Sequence, residues 1–283
     1  MQKRFILINF PGLGVGDLKN SSSSNHSLEQ LLKYAHETDL KLDLSGLESI
    51  GLNAFVNYSN ATARKSSVTA RLAAREIHGM DDFSAYNELG GGDKEHLPVY
   101  SSFVEHKDDH AVFAISIGCD ETLIPSYEFI ESLTDVDIKF DLIDVVSAPL
   151  VRNEFIVATM SDFREAALEG NPTFACACLS QLSLLIKELI PLLGSDDALM
   201  VVSTTAIDAT GEGREFRNEL SPMFYYSPIS QTHDLGLRLL ADIGPSIAQF
   251  FNLERNNLVG ASMAKWMKNE ENPHEEVDST VHS

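Results

Sequence analysis

The sequence predicts an α/β fold built as a three-layer sandwich around a mainly parallel sheet. Three observations lead there. Short, nearly unbroken apolar runs recur at residues 5–9, 111–117, 155–159 and 198–203, the pattern of strands covered on both faces. Segments with a helical apolar period lie between them. The chain has 283 residues, 43% of them apolar. That is enough to bury a sizeable core and too apolar for a disordered chain. No internal repeat is present.

Taken in order, residues 5–9 read as the first buried strand. A glycine-rich turn follows, with Gly12, Gly14 and Gly16, and then a polar stretch over 19–26 containing four consecutive serines. Residues 27–34 place Leu28, Leu31 and Leu32 on one helical face, with Ser27 as N-cap. Residues 61–77 read as a second helix, and Gly90-Gly91-Gly92 marks a boundary. A strand is expected at 111–117, a short helix at 127–133 and a strand at 155–159. Asn171-Pro172 supplies cap and first-turn chemistry for a long helix stopping at Gly194. Strands at 198–203 and 223–226 follow. A helix is expected over 237–251, with Pro245 tolerable only near a first turn. Residues 268–283 hold one lysine and five acids and read as a disordered acidic tail.

Lys and Arg number 21 against 42 for Asp and Glu, a formal charge of −21. Such a chain repels phosphate backbones and anionic lipid surfaces, so nucleic acid and membrane are not expected partners. Cys119, Cys176 and Cys178 form no disulfide framework and read as small buried thiols. No secretory leader is evident, and the apolar segment 179–193 is short for a bilayer and carries Lys187 and Glu188. The expectation is a cytoplasmic protein.

Spacing alone offers little chemistry. The turn after the first strand is G-x-G-x-G, interrupted by Pro11, and its helix starts about ten residues too late to cradle a pyrophosphate. It reads as a tight turn. His106, Asp108, Asp109 and His110 resemble a metal-binding cluster, but between two strands they read as a solvated turn.

Several blocks, in order, resemble phosphopentomutase of the alkaline phosphatase superfamily. Residues 7–16 (LINFPGLGVG) are similar to that family's first strand and D-S-x-G-x-G turn. Residues 24–28 are similar to its S-N-T-L helix start, and 40–52 to its L-K-L-P-N-L-x-x-L-G-L segment. Residues 79–88 (GMDDFSAYNE) resemble G-K-D-T-x-T-G-H-W-E, and 112–125 (VFAISIGCDETLIP) resemble V-F-Q-I-A-A-H-E-x-x-I-P. Residues 158–203 are similar to the block from N-L-V-D-F-D to L-L-I-I-T-A. Residues 235–253 (LGLRLLADIGPSIAQFFNL) are similar to L-G-x-R-x-x-F-A-D-I-G-A-T-I-A-E-x-F-G-L. The resemblance implies an alkaline-phosphatase-like core over residues 1–90 and 150–267, with a reduced cap over 91–149.

It also implies two metal ions held by Asp and His. Residue by residue, the first-strand Asp falls on Pro11, the second Asp of D-F-D on Arg164, and the following His on Glu169. The Asp-His pair falls near Thr205 and Ala206, and the last His on Phe216. The phosphorylated Thr falls on Asp82 and the second Thr on Ser84, while Glu88 and Asp162 match the family. Pro, Phe and Ala offer no side-chain ligand to a divalent cation, so no metal or other cofactor is expected.

Three readings follow from that resemblance. The favoured one is a catalytically inactive scaffold serving as a binding or regulatory subunit, with a protein partner or a second copy. Another is a metal-independent enzyme for a small anionic substrate. There Asp82, Ser84 and Asp162 would be the catalytic candidates, with Arg164, Glu88, Arg214 and Arg217 binding the ligand. The third is a phosphotransferase with a rebuilt metal site.

Overall fold

The computed structural model describes residues 2–16, 26–56, 67–75, 82–106, 108–117, 128–211, 216–217, 219–255 and 257–267. Its elements run β1 (Arg4–Asn9), α1 (Ser27–Glu37), α2 (Ser45–Ser49), β2 (Ser67–Ala73), α3 (Asp82–Leu89), α4 (Val99–Glu105), β3 (His110–Ile117) and β4 (Glu128–Ser132). They continue α5 (Asp135–Ser147), β5 (Asn153–Thr159), α6 (Asp162–Glu169), α7 (Pro172–Leu189), β6 (Ala198–Val202), β7 (Ser221–Tyr226), β8 (His233–Leu239), α8 (Ile243–Phe251) and α9 (Ala264–Met267).

The eight strands of the described residues form one sheet in the order β4-β3-β5-β1-β6-β7-β2-β8. β4, β3, β5, β1 and β6 are mutually parallel, and β7 runs antiparallel to both its neighbours. The unbroken apolar runs follow from this placement. In β1, Ile6 and Ile8 face one core while Phe5 and Leu7 face the other. In β5, Ile156 and Ala158 oppose Phe155 and Val157 in the same way. α1, α2, α5, α6 and α7 cover the first face, and α3, α4, α8 and α9 cover the second. A strand with two buried faces has no polar alternation to show.

The sequence reading holds for β1, β3, β5, β6, β7 and α7. Asn171 accepts the amide of Phe174 at 3.1 Å as the N-cap of α7. Among the described residues, one helix, Pro172–Leu192, is long and apolar enough to cross a membrane. Its apolar residues Ala175, Leu179, Leu182, Leu185, Ile186 and Leu189 are buried in the first core, which accounts for its composition.

Four expectations need correction. Within residues 61–77, expected as a helix, Ser67–Ala73 is the strand β2; 61–66 and 76–77 lie outside the described residues. Val68, Ala70 and Leu72 all face the second core. A period of two includes an i, i+4 pair, so Val68 and Leu72 satisfy either template. Glu128–Ser132 is the edge strand β4 and not a short helix, because five residues are too few to express a period. The helix expected over 237–251 is divided. Leu237–Leu239 end β8, a tight turn at Leu240–Asp242 follows, and α8 begins at Ile243 with Pro245 in its first turn. His26 caps α1, accepting the amide of Glu29 at 3.3 Å. Ser27, expected as that cap, is drawn away by a carboxylate described below. Apart from these, the described part of 91–149, the segment expected as a reduced cap, holds α4, β3, β4 and α5, and β3 and β4 join the central sheet.

Candidate functional site

Parallel register places Asn9 beside Thr159 of β5 and Val202 of β6. The carboxyl ends of these three strands therefore share one edge, where α/β sheets place their ligand sites. The side chains there are neutral. Asn9, 2% exposed, donates its amide to the Tyr86 hydroxyl at 3.2 Å and accepts the Thr204 hydroxyl at 3.3 Å. Tyr86, carried on α3, also bonds the Thr159 hydroxyl. Ser203 accepts the amide of Leu13 at 3.1 Å and donates to the Thr205 carbonyl at 2.6 Å. Among the described residues, the buried Thr205 hydroxyl has no hydrogen-bond partner.

Pro11 and Gly12 carry the chain across this edge. Gly12 donates to the Thr205 carbonyl at 3.1 Å and accepts from Ile207 at 2.8 Å. Its φ is +111°, and a Cβ there would lie 2.8 Å from the Phe163 ring and 3.4 Å from the Arg164 Cα. The turn is thus seated on the start of α6. Arg164 pairs through Nε with Glu165 at 3.2 Å.

Asp162 opens α6, and its carboxylate accepts the amide of Asp135 at 3.3 Å. Asp135 opens α5, and its carboxylate accepts the amides of Ser161 at 2.9 Å and Asp162 at 3.1 Å. Each acid thus caps the other's helix. Burial, reinforced by the charge of Asp162, pushes the Asp135 carboxyl up to about 7.

A second polar knot lies under Gly14. Glu219 accepts both the amide and the hydroxyl of Ser27 at 2.9 Å. Arg217 bonds Asp208 at 2.6 Å and reaches Glu219 at 3.5 Å. Asp208 also takes the amide and hydroxyl of Thr210 at 2.9 and 2.7 Å. A Cβ on Gly14 would sit 2.1 Å from Glu219 Oε2, so only glycine lets the carboxylate approach. Burial lowers the pKa of His26 below the usual imidazole value, against the opposing charges of Glu29 and Glu219.

The sequence candidates therefore divide. Asp162 and Arg164 stand where the Pro11–Gly12 turn meets α6. Ser84 is half-buried on α3, the helix that brings Tyr86 to Asn9. Asp82 opens α3, and its side chain lies outside the described set, as does all of Arg214. Glu88 instead holds the far end of α3. It accepts the amide of Arg75 at 2.8 Å and pairs with its Nε at 3.4 Å. Arg217 belongs to the knot under Gly14. His106, Asp108, Asp109 and His110 line a cleft of about 1030 Å³ with Arg152, Asn153 and Phe251. That cleft lies at the amino ends of β3 and β5, the opposite edge of the sheet. Among the described residues, no three His, Cys, Asp or Glu side chains are placed to hold a metal ion.

Sequence reasoning missed Asn9, Tyr86, Thr159, Thr204 and Asp135. One signal was available: in β1, β5 and β6 four or five apolar residues run straight into a polar one, Asn9, Thr159 and Ser203.

No family model matches the chain. Over 70 residues it is 37% identical to phosphopentomutases of Shewanella sp. (strain W3-18-1) and Shewanella putrefaciens. That match takes in 24% of this chain and 17% of the length of those relatives. The structural likeness is broader. An alkaline phosphatase superfamily protein from Vibrio parahaemolyticus superposes with a TM-score of 0.59 at 10% identity, covering 93% of this chain and 70% of that one. Alkaline phosphatase of the Antarctic bacterium TAB5 gives 0.57 at 9% identity, covering 89% and 98%. The lipoteichoic acid synthase LtaP of Listeria monocytogenes gives 0.55 at 8% identity, covering 92% and 74%. At such identities the likeness concerns the backbone alone, and what it establishes is that this chain has the alkaline-phosphatase-like fold.

Proposed function

We propose that this chain is a phosphopentomutase-like scaffold without the two-metal centre, acting as a binding or regulatory subunit and not as a metal-dependent phosphotransferase. The observation that carries the reading is the commitment of its acids. Divalent cations of this fold need carboxylates and imidazoles free to coordinate. Here Asp135 and Asp162 cap each other's helices, Asp208 and Glu219 hold Arg217 and Ser27, and Glu88 holds Arg75. The strand ends themselves offer amide and hydroxyl groups bonded to one another. Among the described residues, acids engaged in this way do not fit a pair of metal ions.

One observation favours a second reading, a metal-independent site for a small anionic substrate. Asp135 and Asp162 face each other across the starts of α5 and α6, each accepting the other's amide, and burial pushes the Asp135 carboxyl up to about 7, the range of a general acid or base. Comparing thermal midpoints in manganese and in EDTA, with sugar-phosphate mutase and phosphatase assays alongside, tests the proposal. Unchanged midpoints and no turnover are expected. A manganese-dependent rise with turnover would favour a rebuilt metal site.

A further inference from the structure

Helix α5 buries Ile138, Leu142 and Val146 against the sheet. Its opposite face is also apolar. Leu133, just before the helix, is 84% exposed, Val136 45% and Phe140 59%, and Ile143 is half-buried beside them. The spacing of Val136, Phe140 and Ile143 places them in one stripe, since residues three and four apart share a helix face, and Leu133 precedes it in the chain. Helical geometry sets Asp137, Asp141 and Asp144 along one flank of this stripe. Lys139, on the other flank, is buried and tied to Glu188 at 2.8 Å. The stripe is thus apolar along its length, with an all-acid row beside it and its neighbouring lysine already neutralised. Exposed apolar patches of this kind mark interaction sites.

We propose that this face of α5 docks a basic amphipathic helix of another protein. The partner's apolar positions would cover Leu133, Val136 and Phe140, and its lysines or arginines would meet Asp137, Asp141 and Asp144. A second copy fits poorly. It would bring the same acid row against its twin, on a chain carrying −21. The inference deepens the binding-subunit reading and rests on it.

The probes are a synthetic leucine–lysine amphipathic helix and its leucine–glutamate counterpart, titrated by fluorescence anisotropy at several salt concentrations. The lysine helix should bind the full chain and the glutamate helix should not. Phe140→Ser should weaken binding roughly tenfold. Asp137→Asn/Asp141→Asn/Asp144→Asn should weaken it and flatten its salt dependence. Neutralising three distant exposed acids, Glu37→Gln/Asp39→Asn/Glu254→Gln, should change little. An equal loss from the distant set, or no loss from Phe140→Ser, would overturn the proposal. So would a concentration-dependent dimer of the wild-type chain that Phe140→Ser abolishes. Phe140 and Asp144 are exposed, Asp137 and Asp141 are half-buried and accept the hydroxyls of Thr134 and Ser132, and an unchanged circular dichroism spectrum confirms that each variant folds. The titrations are independent of metal binding, so a chain that retains metal yet binds the helix loses the inactive-scaffold reading and keeps this surface.

Discussion

The reciprocal caps of α5 and α6 make a pH prediction with a worked size. Asp135 is 4% exposed, lies against Asp162 and titrates at about 7, whereas an unfolded aspartate titrates near about 3.9. The folded chain therefore binds this proton more tightly than the unfolded chain. The stability it contributes is full below the unfolded value and is lost as pH rises towards 7. Roughly three pH units at about 1.4 kcal/mol each set an upper limit of ~4 kcal/mol on that loss. Asp135→Asn removes the titration. It keeps one acceptor for the amides of Ser161 and Asp162 and forfeits the other, a cost of about 1 kcal/mol at any pH. Urea denaturation of both proteins between pH 4 and pH 8 isolates the effect from the other acids. At pH 4 the variant should be the less stable, and by pH 8 the difference should shrink and change sign. A difference that stays constant across this range would refute the buried-pair argument.

Other expectations follow from the same geometry. Gly14→Ala drives a methyl group into Glu219 and Ala206 and should cost about 2 kcal/mol in urea denaturation; an unchanged midpoint would contradict the close approach. Arg217→Ala leaves the buried carboxylates of Asp208 and Glu219 without their shared cation. Because the arginine is 39% exposed and water replaces part of what is lost, a cost of about 1–3 kcal/mol is expected by the same assay. Burial pushes the Cys176 thiol up to about 11 and Cys178 up to about 12. Mass-spectrometric mapping after iodoacetamide treatment at pH 8 should find both unmodified in the native chain and both modified in urea.

The doubly covered strands were legible because burial on two faces leaves a run of apolar residues with no competing reading. The long helix α7 was legible for another reason, a cap and a first-turn proline at one end and a glycine beyond the other. β2 and β4 were not. In β2, Val68 and Leu72 fit a helix as well as a strand, and only the partners β7 and β8 decide between them. In β4, five residues carry too little pattern. Asp162 and Arg164 came from the family resemblance, through its D-F-D block, and the structure sets them beside the glycine turn. Asp135 was hidden, because its role depends on Ser161 and Asp162, more than twenty residues away and brought to it by the packing of α5 on β3, β5 and α7. Glu88 and Arg217 stood out as charges, but their partners Arg75, Asp208 and Glu219 make them supports of the scaffold.

The central claim is that the acids around the neutral strand ends are already engaged, and elemental analysis tests it most directly. The purified chain would be incubated with manganese and with zinc, desalted, and its bound metal counted. The account predicts no retained metal, because the carboxylates are already spent on helix amides, Ser27 and arginines. One or two equivalents retained per chain would contradict it, and would mean that these acids leave their partners to build a metal centre.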